Sequence, residues 1–401
     1  MSSAPEPYDP DRLADRARRS DESALAHYSA ACPNHTDVPG FVKAFADDDI
    51  ARSYDILRQA NPLPEMCSHL NPPWMFTEGA RAERALGQEP TPIADIQYTI
   101  AWLARDAGLP GVVLPEAESG RHIGIVGGGP TGIACAVRLL EQGHCVTIIE
   151  RECVLGGTPH ILIPSRRLPD SQPEIDAVLA PALSAGRLTL RLGAALGQDT
   201  DIVSLHTRYD AVLVAIGLWQ ESSLGAVEGV MSGIDFLRET KAGSRTTVPD
   251  DVAILAGDDC AMDAAVAAQM LGARNVYIVY GGPRSAMHWH RSEDWFKSEG
   301  VHCLPLTQPL GYETDARGRL TGLRVEHVLP PSAGRTTTGS EGILPVSLVI
   351  EAMQLEVADD LPHTSAENVF SAGGMINGGA SVAQCIAEGT QAAEKTNGYL
   401  K

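Results

Sequence analysis

Residues 123–150 read IGIVGGGPTGIACAVRLLEQGHCVTIIE, and the fold class follows from them. The apolar run Ile123 to Val126 meets Gly127, Gly129 and Gly132 in G-x-G-x-x-G spacing. A helical stretch follows, with Ile133, Ala136, Val137 and Leu140 on one face and Gly143 as its stop. A second apolar run, Cys145 to Ile149, ends in the acid Glu150. Each part has a mechanical reason. Gly127 allows the tight turn, Gly129 lets backbone approach a pyrophosphate, and Gly132 lets helix and strand pack closely. The helix N-terminus presents free N–H groups and a positive dipole end to phosphates. Glu150, about 20 residues past the glycines, is placed to accept hydrogen bonds from ribose hydroxyls. Strand, glycine turn, helix, strand and terminal acid together predict a dinucleotide-binding βαβ unit.

The 401 residues leave room for two or three domains and a large core. Lys and Arg number 31 against 51 Asp and Glu, giving a formal charge of −20. That balance opposes nucleic-acid binding and anionic membranes. No apolar run reaches the eighteen or so residues that span a bilayer, and Met1–Ser20 is polar and charged, so the expected location is the cytoplasm. The eight cysteines (32, 67, 135, 145, 153, 260, 303 and 385) are scattered without a C-x-x-C pair. Neither a disulfide framework nor a zinc site is indicated, and a buried small hydrophobe is the reading for most of them.

Residues 1–118 carry a helical pattern broken by Pro33, Pro62, Pro64, Pro72 and Pro73. After the first βαβ unit, the apolar strand Ala211 to Ala215 leads into Gly217. A second βαβ pattern begins at Val252: VAILA (252–256) as strand, AMDAAVAAQMLG (261–272) as helix and VYIVY (276–280) as the next strand. Short strands and turns such as Asp315–Gly318 fill 301–350, and the tail from Asn368 runs strand, glycine-rich loop, helix. The expected architecture is α/β with parallel sheets. A Rossmann-like domain is interrupted by a second nucleotide-binding-like domain and preceded by a helical one.

From about residue 25 to the C-terminus the chain resembles the small (β) subunit of glutamate synthase, a family that includes the flavin-reducing half of dihydropyrimidine dehydrogenase. GGTPHILIPSRRLP (156–169) follows the family's GGLLRYGIPEFRLP pattern without a gap, and YDAVLVAIG (209–217) is similar to the strand and A-x-G turn closing its first flavin segment. GVMSGIDFL (229–237) matches the crossover into the pyridine-nucleotide domain, and the tail matches VFAAGD…AIAEGRQAA. The resemblance implies FAD bound in a domain made of residues 119–228 and 356–401, an NAD(P)H-binding-like domain at 229–355, and a degenerate iron–sulfur domain at 1–118. It implies flavin contacts at Gly127, Gly129, Pro130, Thr131, Gly132, Glu150 and Arg151, then at Gly156, Gly157, Ile163, Pro164, Arg167 and Leu168. Ala215, Gly217, Gly373, Gly374, Ala380 and Ser381 complete that set.

The departures from the family pattern carry the most information. The family's N-terminal domain ligates two [4Fe–4S] centres through cysteine clusters. Here the first cluster is reduced to Cys32, and the second leaves only Cys67, with Asn71, Thr77 and Arg81 where three thiolates belong. A cluster normally takes four thiolates, so none is expected, and the domain is read as a structural or interaction module. In the second βαβ unit the family's G-G-G-N-x-A-M-D becomes Ala256 to Asp263, with Asp258 replacing the glycine that lies against the pyrophosphate. The paired arginines that grip the 2′-phosphate of NADPH are Gly281 and Gly282, and Arg284 follows two residues on. Gly374 replaces the aspartate that bonds the flavin ribityl chain.

His288 and His290 flank Trp289 in an H-x-H spacing without a third metal ligand, so no metal site is expected. His160, Arg166 and Arg167 fall in the segment that lines the flavin in the family, where a solvent-facing charge and an anion-binding role are equally good readings. The expectation is an FAD-dependent oxidoreductase acting on a small molecule or partner protein, with NAD(P)H doubtful and the N-terminal domain as the place for a partner subunit. Two alternatives stay open: a flavin-bearing non-catalytic scaffold subunit, and an NAD(P)H-dependent flavin reductase with an altered nicotinamide site.

Overall fold

The structure, a computed structural model, describes residues 8–287, 300–329, 337–353, 355–356 and 366–401. The chain forms two compact units. The first comprises Met1–His160, Ser165–Leu218 and Val357–Lys401, the second Ile161–Pro164 and Trp219–Glu356. The α/β class with parallel sheets predicted from the sequence is the class observed.

The N-terminal part of the first unit is helical, from Pro10–Ala17 to Ile93–Asp106. Aspartates start four of these helices: the carboxylates of Asp9, Asp21, Asp37 and Asp49 accept backbone N–H groups of the first turn. Each such cap contributes about 1 kcal/mol, so part of the large acidic excess is placed where helix dipoles favour it. Phe41, Phe45, Leu57, Ile96 and Ile100 form the core of this region. Beyond it lies a five-stranded parallel sheet in the order Val369–Ser371, Ala211–Val214, His122–Val126, Cys145–Glu150, Leu188–Leu192. Ile123 sits between Val146 and Ala211 at the centre, buried on both faces, which explains the unbroken apolar runs. The last strand and the helix Val382–Leu400 come from the end of the chain, so the second unit interrupts the first in sequence.

The second unit carries its own five-stranded parallel sheet, Val230–Ser232, Leu348–Glu351, Asp251–Leu255, Asn275–Tyr280, Val301–Pro305. An antiparallel three-stranded sheet, Thr307–Thr314, Leu320–Val328 and Thr337–Leu344, accompanies it. The helix Asp259–Met270 buries Ala261, Ala264, Ala265 and Ala268, small side chains that bring it close to the sheet. Among the described residues no helix is long and apolar enough to cross a membrane.

Within the first unit, a buried carboxylate joins the helical region to the sheet region. The helix Pro64–Leu70 has no side-chain cap of its own. Glu174, on the helix Gln172–Ser184, accepts the N–H groups of Glu65 at 2.5 Å and Met66 at 2.9 Å instead. Glu65 in turn pairs with Arg105 at 2.7 Å. Burial, and then the charge of Glu65, push the Glu174 carboxyl well above the ordinary glutamate range. A carboxyl raised in the folded state gives stability that is fully present below its unfolded value, about 4.3, and is lost as pH rises through the folded one. Glu174→Gln is therefore expected to gain on the wild type with rising pH. The difference in melting temperature, variant minus wild type, should be more positive at pH 7.5 than at pH 4.5; a flat difference would refute the assignment.

Candidate functional site

The glycine turn of the first unit separates two kinds of glycine. Gly127 has φ +109°, and a Cβ there would lie 2.3 Å from the Ala215 carbonyl oxygen. A Cβ at Gly132 would lie 2.0 Å from the Gly127 carbonyl oxygen. The chain itself demands these two. Gly129 has an ordinary φ of −79°, and the nearest atom to a Cβ there is Gly157 Cα at 3.7 Å. Nothing in the polypeptide requires Gly129, so the cradle it leaves open is shaped for a group that comes against the backbone from outside.

The surroundings fit an anion joined to a ribose. Gly129 is the N-cap of the helix Pro130–Glu141 and offers no side-chain cap, so the first-turn N–H groups of Thr131 and Gly132 face that cradle unclaimed by a capping side chain. Glu150 is 7% exposed at the end of its strand. Its Oε2 accepts the Gly128 N–H at 2.6 Å and its Oε1 the Glu152 N–H at 2.9 Å. Each carboxylate oxygen keeps a lone pair for a hydroxyl. Gly156 donates its N–H to the Gly128 carbonyl at 2.8 Å, tying the second glycine pair to the first turn. A Cβ at Gly157 would meet Gly129 Cα at 2.8 Å. The tail closes the group. Gly373, at φ +83°, lies against Thr131 Oγ1, and Gly374 faces Gly217.

The structure thus brings Gly127, Gly129, Pro130, Thr131, Gly132, Glu150, Gly156, Gly157, Ala215, Gly217, Gly373 and Gly374 into one neighbourhood. Other expected positions have local work. Arg151 pairs with Glu152 at 3.3 Å, and Leu168 is buried. Arg167 is half-buried. Ala380 offers its carbonyl to Cys385 Sγ at 4.0 Å. Ser381 caps the helix Val382–Leu400 in a reciprocal box with Gln384. Ile163 and Pro164 group with the second unit. His160 bonds Ser171 at 3.0 Å, and Arg166 is exposed. His288, Trp289 and His290 lie outside the described residues. Glu388 escaped the sequence reading: it accepts the Gly373 N–H at 2.8 Å and an Asn377 amide N–H at 2.6 Å, holding the tail loop. The only sequence signal for it was its place in the C-terminal A-E-G.

The corresponding turn of the second unit is filled by its own side chains. Asp258 caps the helix Asp259–Met270, its carboxylate accepting the Ala261 N–H at 3.0 Å, where the corresponding helix start of the first unit has no side-chain cap. The Tyr280 ring lies against Gly257 and Gly282: a Cβ at either would come within 2.8 Å of it. Ala256 keeps φ +143°, a conformation natural to glycine and strained for a side chain.

In the helical region, Cys32, Cys67 and Asn71 line one cavity of about 30 Å³, room for one or two waters. Thr77 and Arg81 do not line it, and Arg81 pairs with Glu78 at 3.0 Å on the surface. Burial pushes the Cys67 thiol far up, which opposes the thiolate a metal needs. Among the described residues no group of three or more His, Cys, Asp or Glu is arranged to hold a metal ion. The donor set does not fit a [4Fe–4S] cluster.

Residues 121–389 match the family described as pyridine nucleotide-disulphide oxidoreductase, and residues 1–107 match dihydropyrimidine dehydrogenase domain II, 4Fe-4S cluster. The chain is 29% identical to the NADP(+)-dependent formate dehydrogenase subunit beta of Moorella thermoacetica over 92% of its own length, and spans 59% of that protein. It is 25% identical to the small chain of the NADPH glutamate synthase of Azospirillum brasilense, over 98% of this chain and 90% of that one. Among solved structures, FprA of Mycobacterium tuberculosis in complex with NADPH aligns with TM-score 0.59 at 15% identity, covering 70% of this chain and 84% of that one, a likeness of fold.

The strain at Ala256 has a measurable consequence. Ala256→Gly is expected to stabilise the protein by about 1 kcal/mol, the relief of a strained residue less the entropy of glycine. Thermal unfolding should show a rise of a few degrees in melting temperature; a fall would show that the alanine is unstrained.

Proposed function

The chain belongs to the pyridine nucleotide-disulphide oxidoreductase family of FAD-dependent oxidoreductases, and from that premise we propose that it passes electrons between FAD and a small molecule or partner protein, without iron–sulfur clusters and without the family's use of NADPH. The observation that carries the reading is Gly129, a glycine the polypeptide does not need, set in front of an uncapped helix N-terminus and a backbone-locked Glu150. Gly129 and the helix N-terminus would hold the pyrophosphate, Glu150 the adenosine ribose, and the Gly373–Gly374 loop the far side of the cofactor. Bound there, the flavin supplies the electron-transfer chemistry. The protein's part is to hold it, with Glu388 keeping the tail loop in place.

The same comparison of charges argues against family-type NADPH binding. A phosphate entering the second turn would meet the Asp258 carboxylate where it expects N–H donors, and two unit charges about 4 Å apart repel by up to about 4 kcal/mol at an intermediate dielectric. Gly281 and Gly282 bring no cation to a 2′-phosphate. The two remaining thiols support a helical region that braces the nucleotide-binding part and does not carry electrons. Relatives named as subunits support a partner that docks there. We assign the chain residues 1–118 as the degenerate iron–sulfur domain, 119–228 and 356–401 as the FAD domain, and 229–355 as the NAD(P)H-binding-like domain.

The purified protein is expected to be yellow and to release FAD, with no iron or acid-labile sulfide. Gly129→Asp should lose the flavin while keeping the circular dichroism of the wild type. A colourless wild type that takes up no FAD on incubation would refute the flavin site, and about four irons per chain would refute the cluster-free reading.

Stopped-flow bleaching of the flavin tests the second site. NADH and NADPH should both reduce it slowly; Asp258→Gly should speed both by on the order of tenfold, at a stability cost of only a few tenths of a kcal/mol for a glycine cap. Adding Gly281→Arg and Gly282→Arg should then favour NADPH alone. Rapid, saturable reduction of the wild type by NADPH would replace this reading with a working nicotinamide-dependent reductase.

A further inference from the structure

The second unit contains a cavity of about 420 Å³, inside the range typical of small-molecule pockets, about 300–1,000 Å³. It lies between the segment Trp219–Ala226 and the start of the helix Gly233–Lys241, away from the glycine turn's own backbone. Trp219, Met231 and Ile234 give it apolar walls, and Glu221, Asp235 and Glu351 give it three carboxylates. Among the described residues its lining includes no lysine, arginine or histidine.

Glu351 is the informative group. It is 4% exposed, at the end of a central strand. Its Oε1 accepts the Tyr312 hydroxyl at 2.5 Å and the Leu224 N–H at 2.7 Å. Both bonds fall on Oε1, and the side chain lines the cavity, which leaves Oε2 as the oxygen for a guest there. A carboxylate oxygen open to a cavity takes its donor from whatever fills that cavity, water or a ligand. Glu221 is held in place beside the same cavity by the Ile234 N–H at 2.9 Å. Arg238 stacks its guanidinium 5.9 Å from the Trp219 ring centroid without lining the cavity, so the ring serves the cavity as an apolar wall. Glu221, Asp258 and Asp259 all act on the Cys260 thiol, so further carboxylates lie near Glu221, against the single guanidinium of Arg238 at the Trp219 ring.

We propose that this cavity binds a small organic cation, a protonated amine whose ammonium group bonds Glu351 Oε2 and faces Glu221 while its apolar body packs on Trp219, Met231 and Ile234. The site uses none of the residues assigned to FAD or to the nicotinamide nucleotide, and it stands whether or not those readings hold.

The test is calorimetric titration of the full-length protein, as purified, with benzylammonium chloride and with benzyl alcohol, its neutral counterpart, in 0.3 M NaCl to screen the general acidity of the surface. Benzylammonium should bind with a dissociation constant of about 1 mM or tighter, and benzyl alcohol at least about tenfold more weakly. Glu351→Gln should remove that discrimination. Asp235→Asn, an exposed change at the cavity rim, should weaken the amine about two- to threefold, and Glu89→Gln, a surface carboxylate of the first unit, should leave it unchanged. Should Glu351→Gln fail to fold, the Trp219 indole N–H resonance, identified by Trp219→Phe, must shift on adding the amine. Equal binding of the two compounds, no binding of the amine, or a Trp219 resonance that does not move would overturn the proposal.

Discussion

The fold of the first unit rests on how closely two pieces of backbone can approach. The helix Pro130–Glu141 starts so near the strand His122–Val126 that a single methyl at Gly132 would lie 2.0 Å from a carbonyl oxygen. The same helix packs against Val382–Leu400 at Gly389, where a Cβ would lie 2.3 Å from the Thr131 carbonyl. These contacts leave no room for adjustment, and they fix where the helix N-terminus points. Everything assigned to the cofactor site follows from that direction: Glu150 reaches the turn through Gly128, the second glycine pair hangs from the Gly128 carbonyl, and the tail loop meets Thr131.

The two units show what happens when that constraint is kept or released. In the first, the glycines that the chain does not need for itself are retained. In the second, the backbone at Ala256 has a glycine-like φ of +143°, and side chains fill the space. Asp258 satisfies the helix N-terminus from within, and Tyr280 covers the turn. A helix end that has its own carboxylate has less to offer an anion. In the helical region, the cavity bounded by Cys32, Cys67 and Asn71 offers amide and thiol groups.

Local pattern made some of this legible and distance in the chain hid the rest. Gly127, Gly129, Gly132 and Glu150 lie within one βαβ unit, so spacing alone placed them correctly relative to each other. That Asn71, Thr77 and Arg81 stand where the resemblance expects thiolates is equally a matter of residue identity, read without knowing position in space. Glu174 was not legible as a helix cap, since the helix it caps begins at Pro64, far away in sequence, and no local signal links them. Ile161–Pro164 read as part of a continuous flavin-lining segment, yet packing groups it with the second unit, where Leu162 joins the core around Phe236 and Met262. Glu351 carries no local sequence signal, and only the fold places it in the lining of a cavity.

The order of strands carries a consequence for how the protein comes to exist. The strand Val369–Ser371 pairs with Ala211–Val214, and the helix Val382–Leu400 covers the glycine turn, yet both are made after the whole second unit. A chain emerging from the ribosome therefore holds the edge of Ala211–Val214 and one side of the helix Pro130–Glu141 uncovered while the interrupting unit is synthesised. The second unit, with its sheet drawn from one nearly continuous segment, has no such wait. Domains tend to fold as units as they are completed, and exposed strand edges are where nascent chains associate. The last thirty or so residues thus act as a final clasp, and a ribosome stalled before them would release a protein with a finished second unit and an open first one.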